Sequence, residues 1–211
     1  LLVRERVRSG EISLSRFYAR RIRRLLPAAA VMIAVTMAVC WFTYSPLQLR
    51  ELTSSAIATA AYLSNFWFFQ IATDYLASEP HTNPLLHTWS LSVEEQFYVF
   101  WPIFIIVLTK VRSVSGAFRL LTYGLVGLSL ASLLLCIVQT KTNQPLAFFG
   151  THARAWEFGV GGILALIHSR PVSLTGTTRN ILFTLGLMLI LIPAFMYDEA
   201  TSFPGVAAIW P

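Results

Sequence analysis

The run His87-Thr88-Trp89-Ser90-Leu91-Ser92-Val93-Glu94-Glu95-Gln96-Phe97-Tyr98 crowds an imidazole, two carboxylates, an amide, an indole, a phenol and three hydroxyls into twelve residues. Histidine and carboxylate side chains act as general acids and bases when held within hydrogen-bond reach of the proton they move. Part of this run also has a structural account. Ser92 and Glu95 have the spacing of a capping box, and an acid suits the positive end of a helix. The second acid, Gln96, His87 and Trp89 exceed what a cap requires, so a functional role and a structural one stand side by side.

A second group is Arg20-Arg21-Ile22-Arg23-Arg24. Arg21 and Arg24 are three apart and share one helix face. Two guanidinium forks there could clamp a diphosphate through bidentate, charge-assisted bonds. The same cluster also suits plain topology signalling with lipid headgroup contact. The third group is Arg154-Ala155-Trp156-Glu157, an i,i+3 pair able to neutralise itself. Asp74, Glu79 and His81 are polar loop residues, and His152 and His168 sit near the ends of apolar runs. No pair of histidines has metal-ligand spacing, so no metal is expected, and no G-x-S-x-G elbow occurs.

The elements that must position these groups are membrane helices. Of the 211 residues 55% are hydrophobic and only 12% charged, where a soluble domain carries about a quarter. Apolar runs near the length that crosses a bilayer recur along the chain. Six are expected: about Leu25 to Tyr44, Leu52 to Phe69, Val93 to Thr109, Phe118 to Val138, Ala153 to His168 and Ile181 to Met196. The fold class is therefore all-α, a polytopic transmembrane helix bundle. Residues 1–24 form a basic cytoplasmic segment whose last part, 13–24, is a short helix capped by Ser13 or Ser15. Pro27 falls at the start of the first span, where a proline is tolerated. Residues 25–211 form the bundle, and a polar loop over 71–91 lies over or into it.

Eight of the sixteen basic residues fall in the first 24 positions, which places that end inside under the positive-inside rule. Few aromatics accompany them and apolar spans follow, which excludes a nucleic-acid partner. Cys40 and Cys136 lie inside apolar runs and read as buried small hydrophobes. Gly159, Gly161 and Gly162 read as a close helix-packing face rather than a nucleotide fingerprint.

Phe17-Tyr18-Ala19-Arg20-Arg21-Ile22-Arg23-Arg24-Leu25-Leu26-Pro27 resembles the F-Y-x-R-R-x-x-R-x-x-P signature of the acyltransferase-3 family of bacterial integral-membrane O-acyltransferases. His87 to Tyr98 resembles that family's H-x-W-S-L-x-V-E-E-Q-F-Y block, and Arg154 to Gly162 its R-x-W-E-x-x-x-G segment. Phe203-Pro204-Gly205 resembles the entry to its next helix. The resemblance implies a multi-pass protein of the inner membrane. It would move an acyl group, most often acetyl, from acyl-CoA to a hydroxyl of peptidoglycan, lipopolysaccharide or a lipid-linked sugar.

It further implies that Arg21 and Arg24 hold the donor's phosphates, and that His87, Glu94 and Glu95 build the catalytic site. Trp89, Ser90, Gln96, Tyr98, Arg154 and Glu157 would contact substrate. Membrane lipid and a fused or separate periplasmic domain are the implied partners. The family's functional histidine lies in a helix upstream of the arginine motif, so this chain alone is expected to be inactive. A transporter or flippase for an envelope glycan is the rival class, although no repeated halves of the kind such proteins carry are evident.

Overall fold

The computed structural model describes residues 13–74, 83–110, 114–167, 175–198 and 200–210. The first twelve residues of the basic segment, Glu79, His81 and His168 lie outside the described residues. Among the described residues the regular structure is all helical, with no strand. The chain divides into two compact units, residues 1–121 and 122–211.

Helix α1 (Leu14–Thr43) begins at Ser13, whose hydroxyl accepts from the Arg16 N–H at 3.4 Å. It runs unbroken for 30 residues. The separate short basic helix expected over 13–24 is therefore the first turns of the membrane helix, and Pro27 lies in the helix interior. A proline there removes one N–H and frees the carbonyl of Arg23. Both residues sit on an exposed face where that carbonyl can be solvated. Val31, Val35, Val39, Trp41 and Phe42 are all exposed, and only Cys40 is buried. Such a surface is at home against lipid, not water.

Helix α2 (Pro46–Ala60) opens with a full capping box: Ser45 and Gln48 satisfy each other's backbone N–H groups, with Pro46 in the first turn. The span expected to continue to Phe69 instead breaks, and α3 (Ser64–Thr73) starts afresh. The Leu63 N–H donates to the Ala58 carbonyl at 2.8 Å and the Tyr62 N–H to that of Thr59 at 3.0 Å. This pattern closes a helix when the residue between adopts the left-handed conformation, and Tyr62 has φ of 54°. Helix α4 (Thr88–Lys110) follows. The polar loop is thus shorter than 71–91 at both ends: Ile71 to Thr73 finish α3, and Thr88 to Leu91 begin α4.

Helix α5 (Val114–Thr142) leads into the second unit, with α6 (Gln144–Phe149), α7 (Thr151–Ile167), α8 (Gly176–Met196) and a closing 3-10 turn, Val206–Ile209. A Cβ on Gly159 of α7 would collide with Ser129 of α5, so the two helices touch backbone to side chain there. Gly161 has open space beside it, so the packing face rests on Gly159 and not on Gly161. Ser132 ties α5 to α7 twice, donating to the His152 carbonyl at 2.6 Å and accepting from the Trp156 N–H at 3.0 Å. Cys136 is buried, like Cys40.

Four helices among the described residues are long and apolar enough to cross a membrane: α1, the Thr88–Val107 part of α4, the Arg119–Thr142 part of α5, and α8. At 17 residues α7 reaches the lower limit for a span, and the broken α2–α3 pair takes the place of the expected second one. About six crossings remain consistent with this count. The protein is a multi-pass membrane protein.

Candidate functional site

The first unit gathers the polar residues of α1 and α4 at one point. Tyr18 and Arg21 lie one turn apart on α1, while Glu94, Glu95 and Tyr98 occupy one turn of α4. Arg21 Nε reaches Glu95 Oε2 at 2.9 Å and Oε1 at 3.0 Å, and Nη2 reaches Oε1 at 2.6 Å. Nη2 also meets Glu94 Oε1 at 3.2 Å. The guanidinium lies over the ring of Tyr98. The side chains of Arg21 and Glu95 are only 18% and 14% exposed, against 42% for Glu94. Arg21 and Glu95 therefore form a largely buried fork-on-carboxylate pair, and Glu94 is a looser satellite.

The capping role expected of Ser92 and Glu95 is not taken up, because α4 starts four residues before Ser92. Glu95 is committed to Arg21 instead. Pro102 inside α4 loosens the carbonyls of the preceding turn, and the Tyr18 hydroxyl donates to one of them, Val99, at 3.0 Å. The α1–α4 contact is thus fastened by an ion pair and, one turn on, by this hydrogen bond.

Gln96 has a different task. Its Nε2 donates to the Tyr62 carbonyl at 3.0 Å and to Asn65 Oδ1 at 2.8 Å. It pins the break between α2 and α3 to α4. Below it runs a fully buried chain of hydroxyls: Thr59 to Thr88 at 2.9 Å, Thr88 to Ser64 at 3.1 Å, and Ser64 to Ser92 at 2.7 Å. Ser55 accepts from Trp67 Nε1 at 2.9 Å and from Asn83 Nδ2 at 2.8 Å. The i,i+4 pairs Ser55/Thr59 and Thr88/Ser92, each stacked on one helix face, were the signal for this network.

A cavity of about 330 Å³ opens beside the ion pair, lined chiefly by apolar surface, with Arg21, Glu95, Tyr18, Tyr62, Gln96 and Tyr98 supplying its polar groups. Its size suits a small ligand or one arm of a larger one. Not every expected site residue reaches it. Arg24 is exposed on α1 and does not line the cavity. His87 is exposed and precedes the first residue of α4, seven positions before Glu94. Ser90 is exposed and donates to the His87 carbonyl at 3.2 Å, while Trp89 is half-buried. Arg154 and Glu157 belong to the second unit and pair with each other at 2.6 Å, as their spacing suggested. Arg154 there also lies 5.8 Å from the rings of Phe148 and of Phe203. Among the described residues no His, Cys, Asp and Glu cluster could hold a metal ion.

Fold and site together define a multi-pass helical membrane protein with a buried arginine–carboxylate pair walling a small cavity. The chain belongs to the acyltransferase-domain family, whose profile matches residues 2–210. It is 34% identical over 167 residues to the peptidoglycan O-acetyltransferase OatA of Listeria monocytogenes, covering 79% of this chain and 26% of that protein. It is 32% identical over 170 residues to the O-acetyltransferase OatA of Staphylococcus aureus, covering 79% and 27%. An uncharacterized protein of Haemophilus influenzae is 32% identical over 214 residues, covering 97% of this chain and 85% of its own. The chain thus spans about a quarter of the length of the two acetyltransferases it matches. No solved structure matches.

Proposed function

We propose that this chain is the donor-side portion of a bacterial inner-membrane O-acyltransferase. In this reading it moves an acetyl group from acetyl-CoA to a hydroxyl of an envelope carbohydrate, with peptidoglycan the first acceptor to test. The acceptor oxygen attacks the thioester carbonyl, the carbon–sulfur bond breaks, and the coenzyme thiol leaves with the proton that the hydroxyl gave up to a base. The observation that carries the reading is the Arg21–Glu95 pair bordering a largely apolar cavity, at the foot of a helix whose exposed Arg16, Arg20, Arg23 and Arg24 carry strong positive charge.

Within it the arginines divide their work. Arg21 is occupied by two carboxylates and serves to position them. Arg24, exposed and outside that pair, is the better phosphate contact, and surface arginines of this kind bind CoA phosphates with a strong dependence on salt. The test uses the full-length protein in native membranes with acetyl-CoA labelled in the acetyl group. Label should appear in isolated glycan, and Arg24→Ala should weaken acetyl-CoA binding by calorimetry. Glycan that stays unlabelled, with acetyl-CoA binding absent in the wild type, would sink the reading. The broken α2–α3 pair lends some support to a transporter, since discontinuous helices line many transport sites. Glycan crossing the membrane without acquiring label would favour that class.

A further inference from the structure

The polar groups that line the cavity are nearly all committed to protein partners. Arg21 and Glu95 hold each other, and the Arg21 guanidinium covers the Tyr98 ring. The Tyr18 hydroxyl is given to Val99, and the Gln96 amide to Tyr62 and Asn65. Tyr62 differs. Among the described residues its phenol hydroxyl has no hydrogen-bond partner, although it lines the same cavity as Glu95 and Arg21.

The backbone at the same residue is held against its preference. Tyr62 occupies the left-handed position that ends α2, where glycine is the ordinary occupant because any Cβ is crowded there. A bulky aromatic at positive φ persists only where its surroundings over-determine it, and such residues gather at functional sites. The surroundings here are explicit. Two backbone hydrogen bonds close the turn, and Gln96 grips the Tyr62 carbonyl from α4. A fold that wanted only the turn would be better served by glycine.

We infer that Tyr62 is a substrate-contacting residue, its phenol O–H donating a hydrogen bond to an oxygen of the acyl-transfer substrate bound in the cavity between α1, α4 and the α2–α3 break. The assignment rests on the acyltransferase reading and deepens it. It names the donor through which the site recognises an acceptor oxygen, a thioester carbonyl or a sugar hydroxyl. The remaining wall is apolar, so one well-placed donor carries much of the polar recognition, and losing it leaves a ligand oxygen desolvated and unpaired.

The experiment compares wild type, Tyr62→Phe and Tyr62→Gly in the full-length protein, measuring kcat and KM for acetyl transfer together with thermal unfolding in detergent. Tyr62→Phe keeps the ring and the backbone conformation and removes only the O–H. Its kcat/KM should fall by about tenfold or more, the value of one hydrogen bond lost in a desolvated site, with an unchanged melting temperature. Tyr62→Gly suits the turn better and should lose at least as much activity. Variants with kcat/KM within twofold of wild type overturn the assignment, as does a Tyr62→Phe loss that comes with a matching fall in melting temperature. A wild-type protein that transfers no acetyl group defeats the underlying acyltransferase reading, and this assignment falls with it.

Discussion

Replacing Glu95 by Leu would strand the Arg21 guanidinium in a site where its side chain is 18% exposed, having lost three charge-assisted contacts of 2.6 to 3.0 Å. Removing one partner of a buried pair costs about 3–5 kcal/mol, and the residual exposure of this pair puts it near the lower end. For a chain of this length each kcal/mol moves the melting temperature by about 2–4 °C, so a loss of about 3 kcal/mol lowers it by about 6–12 °C. Replacing both partners, Arg21→Met with Glu95→Leu, removes the stranded charge and should recover to within about 1 kcal/mol of wild type. The double-mutant cycle should therefore show a coupling energy of about 2 kcal/mol or more. Glu94 gives a built-in control: being 42% exposed with one contact of 3.2 Å, its replacement by Gln should cost about 0.5 kcal/mol. Thermal unfolding of the purified protein in detergent reads all four. If the two single losses simply add in the double variant, or if Glu94→Gln costs as much as Glu95→Leu, the ion pair is not what joins α1 to α4.

Two further outcomes follow from local geometry. Gln96→Leu leaves the Tyr62 carbonyl and the buried Asn65 amide oxygen without that donor; it should cost about 1–3 kcal/mol and speed hydrogen exchange at the Tyr62 and Leu63 amides above that of wild type. Gly159→Ala should cost about 1–3 kcal/mol because its methyl meets Ser129, whereas Gly161→Ala, with open space beside it, should gain about 0.5–1 kcal/mol from helix propensity. Melting temperatures that move alike for the two glycines would show that α5 and α7 do not approach as described.

The outline of this fold was legible because bilayer physics writes itself into local composition. Apolar runs marked α4, α5, α7 and α8 to within about five residues and the far end of α1 to within one, and the Arg154–Glu157 pair followed from its i,i+3 spacing. What local pattern could not reveal was settled by partners far along the chain. The sequence Ala60-Ala61-Tyr62-Leu63 holds neither glycine nor proline, so nothing nearby announced a helix end. The break is held by Gln96, more than 30 residues away. Arg21 and Arg24 look equivalent in sequence, yet only Arg21 turns toward Glu95, 74 positions later. Glu95 has the spacing of a cap for a helix starting at Val93, whereas Thr88, anchored to Thr59 and Ser64, lets the helix begin sooner. Nothing in the local sequence singles out Tyr62, since only its backbone angle sets it apart.

Helix α1 is one rod of 30 residues, which at 1.5 Å per residue is about 45 Å long. The hydrocarbon layer it enters is about 30 Å thick, leaving some three turns to stand at or beyond the lipid headgroups. Those turns carry the arginines, and Arg21 is bolted through Glu95 to a second long helix. Neither rod can shift its charged end without tipping its whole membrane-embedded length. The α1–α4 wall of the cavity therefore tilts as one piece or not at all.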